Sequence, residues 1–174
     1  MKTTLLILIL GDSIAHGWAH NVPAPIPAVN CRGTRQYLER TEDGPSNLEV
    51  WMQGNRYRTI VFNAGLHDVQ QQVPLAEYEA NLRKIVQALR PRSERLFFCS
   101  ITPGRVLAPA CTPEAVGRYN AVALRVMREE SVTVIDLYAL ASAHPEWWKS
   151  QYDIHYTEAG YKQMAEYVKH ALTP

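Results

Sequence analysis

The residues of this chain best suited to chemistry are one serine, two histidines and one carboxylate, Ser13, His67, His155 and Asp153, dispersed over most of its 174 residues. Ser13 closes Gly11-Asp12-Ser13, directly behind the apolar run Thr4–Leu10. A buried strand ending in a glycine turn delivers a hydroxyl to the carboxyl edge of a sheet, where open α/β folds place their ligands. Serine is a weak nucleophile at neutral pH. It needs a base within hydrogen-bond reach, and the attacked carbonyl needs donors for its developing oxyanion. Neutral histidine supplies such a base. Of the six histidines, His155 has the best context, in Tyr152-Asp153-Ile154-His155-Tyr156-Thr157-Glu158-Ala159-Gly160-Tyr161, a loop entering the last helical segment. His67 lies in Asn63-Ala64-Gly65-Leu66-His67-Asp68, again just past an apolar run. Taken singly, His155 reads equally well as an exposed loop residue or a helix N-terminal residue, and His67 reads more readily as a cap or a core imidazole. His16, His20, His144 and His170 lack comparable company and are expected on the surface or along a cleft wall.

The elements that must bring these residues together are legible as alternating patterns. Thr4–Leu10, Thr59–Asn63, Arg95–Ile101 and Val132–Leu137 are apolar runs too short for helices and rich in aliphatic, β-branched or aromatic residues, as buried parallel strands are. A fifth, short strand is expected in Ile26–Val29, before Asn30-Cys31-Arg32-Gly33, with a helix from Thr34 to about Arg40. Between strands, Leu75–Leu89 repeats Leu75, Tyr78, Leu82, Ile85, Val86 and Leu89 on one helical face, and Pro113–Glu130 repeats Val116, Tyr119, Ala123, Val126 and Met127. Pro91 stops the first, Thr112-Pro113 starts the second, and a last helix spans Thr157 to Leu172. Strand alternating with helix gives an α/β class fold, a three-layer α/β/α sandwich with a mostly parallel sheet of about five strands. The Pro-rich stretches Ala19–Pro27 and Pro103–Pro113 follow strands, and read as cleft-shaping loops or as surface excursions.

Composition narrows the partners. With 47% hydrophobic residues the chain suffices for one domain over residues 1–174. Its 18 Lys+Arg nearly balance 17 Asp+Glu, and no basic run is interleaved with aromatics, so a nucleic-acid surface is not expected. The basic cluster from Arg83-Lys84 through Arg90 and Arg92 to Arg95 reads as a solvated helix end. The apolar N-terminal run imitates a signal peptide but has no small-residue cleavage site and carries the strand that precedes Ser13; no run reaches transmembrane length. Cys31, Cys99 and Cys111 are an odd count without metal-type spacing, as expected for reduced cytoplasmic thiols. Export after leader removal is the alternative, and would allow a Cys31–Cys111 or Cys99–Cys111 bridge.

Four blocks in chain order resemble those of the SGNH hydrolases, the GDSL esterase and lipase superfamily, over essentially the whole chain. Gly11-Asp12-Ser13 resembles the first block, Gly33 in Asn30-Cys31-Arg32-Gly33 the second, Gly65-Leu66-His67-Asp68 the third, and His155 with Tyr156-Thr157-Glu158-Ala159-Gly160-Tyr161 the fifth. The resemblance implies a flavodoxin-like fold, Ser13 as nucleophile, His155 as general base, and an oxyanion hole from the backbone N–H groups of Ser13 and Gly33. It implies no metal or organic cofactor. The third block departs from the usual Gly-x-Asn-Asp, whose Asn donates to the oxyanion. Gly-Leu-His-Asp is similar to a variant of some bacterial members, and an imidazole N–H at His67 can make the same bond in a tautomer that Asp68 or the backbone selects. A second departure concerns the orienting Asp, which in the family stands three residues before the histidine. That position is Tyr152 here, and Asp153 stands only two before. Neighbouring side chains of an extended segment alternate in direction, so Asp153 does not inherit the role by proximity. Either the loop shifts so that Asp153 reaches His155, or a Ser–His dyad is held by a backbone carbonyl.

Other residues take supporting roles in this reading. Asp12 stabilises its turn and Asn63 holds a strand end. Trp18 is expected in the cleft, Trp147-Trp148 either flank a substrate or anchor their segment, and Cys31 lacks a base that would make it a nucleophile. The implied reaction is hydrolysis of short-chain acyl esters, including acetyl groups on carbohydrate, since a compact chain has little material for a lid or acyl tunnel. Acyl transfer, thioester or lysophospholipid hydrolysis would use the same site, and a catalytically silent binding module is the reading outside enzymes.

Overall fold

The computed structural model describes residues 5–22, 28–39, 44, 46–103 and 111–173. Five strands, β1 (Leu5–Gly11), β2 (Ala28–Asn30), β3 (Tyr57–Phe62), β4 (Ser93–Cys99) and β5 (Thr133–Ile135), form one sheet in the order β2-β1-β3-β4-β5. Every pairing is parallel, with Leu10 opposite Phe62 and Phe62 opposite Phe98. Among the described residues, eight α-helices connect and cover the strands: α1 (Ser13–Ala19), α2 (Gly33–Leu38), α3 (Asn47–Met52), α4 (Leu66–Gln70), α5 (Leu75–Leu89), α6 (Pro113–Glu129), α7 (Leu137–Ser142) and α8 (Glu158–Leu172). Helices α2 to α6 pack among themselves, and α1, α7 and α8 form a second group, giving the expected three layers. Because helices cover both faces, the middle strands are apolar on both sides: Leu8, Ile9 and Leu10 of β1 and Ile60, Val61 and Phe62 of β3 are all buried.

Several boundaries differ from the sequence expectation for local reasons. The strand expected over Val132–Leu137 keeps only Thr133–Ile135, because Asp136 caps a helix that begins at Leu137, its carboxylate accepting from the Ala139 N–H at 3.0 Å. The strand expected over Arg95–Ile101 runs Ser93–Cys99 instead; Ile101 is taken out of the ladder by Asn120 of α6, which donates to its carbonyl and accepts from its N–H. The strand expected over Ile26–Val29 is Ala28–Asn30, and the helix expected to reach Arg40 ends at Leu38; Thr4, Arg40, the end of the first Pro-rich stretch (23–27, with Ile26) and the middle of the second (104–110) lie outside the described residues.

Helix α1 was not legible as a helix, since its seven residues include Gly17 and are too few to show a period. The cap makes it: the Asp12 carboxylate accepts from the N–H groups of Ile14 at 2.9 Å and Ala15 at 3.2 Å. Gly17 is needed for the packing of α1 on α8, because a Cβ there would lie 2.5 Å from the Tyr161 ring. Trp18, expected in the cleft, instead faces the core, 1% exposed. A residue five positions after Ser13 lies on a different face of the helix that Ser13 opens. The three cysteines are buried and none is joined in a disulfide, so neither bridge forms. Burial pushes the Cys31 thiol up to about 12, which removes it as a nucleophile. The basic cluster is ion-paired on the surface, Arg83 with Glu79, Glu129 and Glu130, and Arg92 with Glu49. Among the described residues no helix is long and apolar enough to cross a membrane.

Candidate active site

The strand order changes direction between β1 and β3, and at such a switch point the connections leave toward opposite faces and open a crevice at the carboxyl edge. Ser13 follows β1 there, Gly33 follows β2, and His67 follows β3. Hydrogen bonds tie these three strand ends together. Asn63 donates its N–H to the Leu10 carbonyl at 2.9 Å, its side-chain oxygen accepts from the Asp12 N–H at 3.1 Å, and the Cys31 N–H donates to the Gly11 carbonyl at 2.6 Å. Two buried phenols fix the segment after β3, Tyr37 donating to the Asn63 carbonyl and Tyr78 to that of Ala64. Burial pushes the Asp12 carboxyl upward, against the hydrogen bonds from Ala15, Ile14 and Asn63 and the charge of His67.

Ser13 is the first residue of α1, and its Oγ lies 2.9 Å from His155 Nε2. The histidine belongs to no regular element, so its position needs its own account. Residues 147–149 and 155–157 run antiparallel as a short hairpin: the Lys149 N–H donates to the His155 carbonyl at 3.0 Å and the Thr157 N–H to that of Trp147 at 2.7 Å. Thr157 then caps α8, accepting from the Gly160 N–H at 3.2 Å. This anchoring favours the structural reading of Trp147, whose Cβ sits 2.7 Å from where a side chain at Gly160 would begin.

Between the two hairpin arms the chain turns at Asp153. Its Oδ1 accepts from the His155 backbone N–H at 3.0 Å and lies 2.5 Å from His155 Nδ1. A carboxylate bonded to the N–H two residues on is an Asx turn, so this segment is not extended and the alternation argued from sequence does not apply. Tyr152, at the family's usual carboxylate position, points into solvent with 73% of its surface exposed. The bond from the His155 backbone N–H and the contact with its ring hold the Asp153 carboxyl below the ordinary carboxylate range, against a desolvation penalty.

The second and third blocks meet at Gly33. Its φ of +82° lies in the region that favours glycine, and an added Cβ would stand 3.1 Å from Asp68 Oδ2 and 3.3 Å from His67 Cβ. Asp68, with the backbone one of two candidates for selecting the His67 tautomer, does different work. It accepts from the Thr34 N–H at 2.8 Å and from the Thr34 hydroxyl at 2.6 Å, fixing the start of α2 and with it Gly33. Among the described residues the His67 ring makes no hydrogen bond. Ser13 and Gly33 each open a helix, where the backbone N–H has no intrahelical acceptor.

Ser13 and His155 open into a cleft of about 450 Å³ whose wall includes His16, Asn21, Lys149, Thr157, Glu158 and Tyr161. A second hollow of about 440 Å³ lies at the amino end of β4, lined by Arg90, Glu94, Arg95 and Thr133 among others, and contains no nucleophile paired with a base. Among the described residues no group of three or more potential ligands could hold a metal ion.

The model of the GDSL-like lipase/acylhydrolase family matches residues 9–163. Solved structures share the fold at low identity. A member of the lipolytic protein G-D-S-L family from Veillonella parvula is 18% identical, with a TM-score of 0.72 over 97% of this chain and 98% of that one. The lipase/acylhydrolase from Enterococcus faecalis is 15% identical, with a TM-score of 0.72 over 97% and 95%. Axe2, an acetylxylan esterase from Geobacillus stearothermophilus, is 17% identical, with a TM-score of 0.66 over 98% and 95%. No curated protein sequence matches the chain.

Proposed function

Because the chain belongs to the GDSL-like lipase/acylhydrolase family, and is by class a serine carboxylic ester hydrolase, we propose that it cleaves short-chain acyl esters through an acyl-enzyme on Ser13. The observation that carries this reading is the unbroken line from Asp153 Oδ1 through the His155 ring to Ser13 Oγ, with spans of 2.5 and 2.9 Å. Asp153 accepts from Nδ1–H, which leaves Nε2 unprotonated and able to take the Ser13 proton as Oγ attacks the ester carbonyl. The tetrahedral intermediate collapses when His155 returns that proton to the leaving alcohol. His155 then deprotonates a water that attacks the acyl-serine, releasing the acid and restoring Ser13.

The oxyanion is bound in this reading by the N–H groups of Ser13 and Gly33 and by the His67 ring. The first two are the unpaired starts of helices, so they also present the positive ends of helix dipoles. His67→Ala should lower kcat by about 10²–10³, as loss of one donor does in other enzymes, with KM little changed. A kcat equal to that of the unmodified enzyme would remove His67 from the mechanism.

The cleft argues for the size and polarity of the substrate. Its wall combines His16, Asn21, Lys149, Thr157 and Glu158, which can hydrogen-bond a hydroxyl-rich leaving group, with Tyr156 and Tyr161, whose rings supply the apolar surface against which a sugar face packs. Acetyl groups on carbohydrate fit this description, and the fold shared with an acetylxylan esterase supports it. Turnover of p-nitrophenyl acetate should exceed that of the octanoate in kcat/KM by at least about tenfold, because in this reading the cleft of about 450 Å³ is taken up by the leaving group and leaves the acyl side short. Release of acetate from acetylated xylo-oligosaccharides would extend the result to sugars. A preference for octanoate or for acyl-CoA would move the reading to lysophospholipid or thioester hydrolysis at the same serine.

A further inference from the structure

One pair of titratable groups in this cleft has no part in the hydrolytic cycle. His16 and His20 stand one turn apart on and just after α1, and their Nε2 atoms face each other at 2.9 Å. Their ring centroids are 4.2 Å apart, with planes at 80°. His16 lines the same cleft as Ser13, and His20 is exposed. The other nitrogen of His16, Nδ1, is enclosed and has no hydrogen-bond partner among the described residues, so a ligand reaches the ring at Nε2, where an ion would take the place of the hydrogen that His16 and His20 share.

We propose that His16 and His20 form a two-histidine site for a divalent transition-metal ion, of the Cu(II) or Ni(II) type, at the mouth of the catalytic cleft. Histidines four apart on a helix present their imidazoles to one ion, as in the helical zinc motifs. The spacing discriminates among metals. With metal–nitrogen bonds of about 2.0–2.1 Å, two nitrogens 2.9 Å apart subtend about 90° at the ion. That is the cis angle of square-planar and octahedral coordination, narrower than the tetrahedral angle that zinc prefers. Among the described residues no third protein ligand completes the set, so the remaining positions belong to water and the ion exchanges freely. An ion held by His16 takes up space on the wall of the cleft that Ser13 also lines, and its occupancy inhibits hydrolysis reversibly.

The site is tested with the untagged full chain and Cu(II) or Ni(II) alone, by calorimetric titration and by hydrolysis of p-nitrophenyl acetate. One ion should bind, activity should fall with the same concentration dependence, and EDTA should restore it. His20→Ala should hydrolyse the ester at the unmodified rate without metal, since His20 touches neither Ser13 nor His155. It should bind the ion at least about tenfold more weakly, as loss of a ligand costs no less than loss of a ligand's supporting partner, and its inhibition curve should shift equally. His16→Ala should reproduce the shift in affinity. Unchanged binding in both variants would overturn the proposal by placing the ion elsewhere, as would no binding at millimolar metal. Binding that leaves hydrolysis untouched would overturn the inhibitory role.

Discussion

Ser13→Ala should abolish ester hydrolysis, lowering kcat by about five to six orders of magnitude, the loss that removal of the nucleophile causes in a serine protease. The fold should be unaffected, because among the described residues the Ser13 hydroxyl bonds only to His155 and the cap of α1 is made by Asp12. Circular dichroism and thermal melting of the variant should match the unmodified protein while the p-nitrophenyl acetate assay falls to background. Retention of more than about a hundredth of the activity would be inconsistent with a covalent role, since residual rates without the nucleophile rest on oxyanion and binding contributions alone.

The second large effect is expected at Asp153, and here the geometry separates two contributions. Asp153→Ala removes both the charge and the acceptor that fixes the His155 tautomer, and kcat should fall by about 10⁴, as in other triads that lose their carboxylate. In a serine protease the amide replacement is as damaging, because it donates to the ring and holds the wrong tautomer. Here the same oxygen, Oδ1, serves the His155 backbone N–H and the ring nitrogen. An asparagine that turned its amide nitrogen toward the ring would leave that backbone N–H without its acceptor. Asp153→Asn should therefore keep the tautomer and lose only the charge, falling well short of the alanine variant. Steady-state kcat for the pair checks this; near-normal rates in both would favour a Ser–His dyad. The depressed Asp153 ionisation adds a sign. Its charged form is favoured by folding, so its contribution to stability is present above the ordinary carboxylate range and is lost as pH falls through the lowered folded value.

The long elements were legible because their periods are long enough to count. Leu75–Leu89 has the bounds read from its apolar face, and α6 ends one residue before the expected Glu130. What escaped was short and held by side chains. Helix α1 depends on the Asp12 cap and α7 on the Asp136 cap, and neither cap stands out while the adjoining apolar run can be continued as strand. The same holds within the site. The residue types at Ser13, His155 and His67 announce chemistry by their positions after strands or before a helix, and the resemblance to four family blocks assigns them roles. Asp153 could not be read in this way, since its reach depends on an Asx turn, and a turn of that kind is a fact of backbone geometry that Asp-Ile-His permits without requiring. Asp68 shows the converse. Its neighbour His67 suggested a local partnership, whereas its hydrogen bonds go to Thr34, thirty-four residues earlier in the chain.

The central claim is that Ser13 becomes acylated, and covalent labelling tests it most directly. The chain would be treated with a fluorophosphonate, digested, and the modified peptide sequenced by mass spectrometry. The account predicts one adduct, on Ser13, with labelling in proportion to lost activity and strongly slowed in His155→Ala. An adduct elsewhere, or complete hydrolytic activity in protein whose Ser13 is fully labelled, would contradict it.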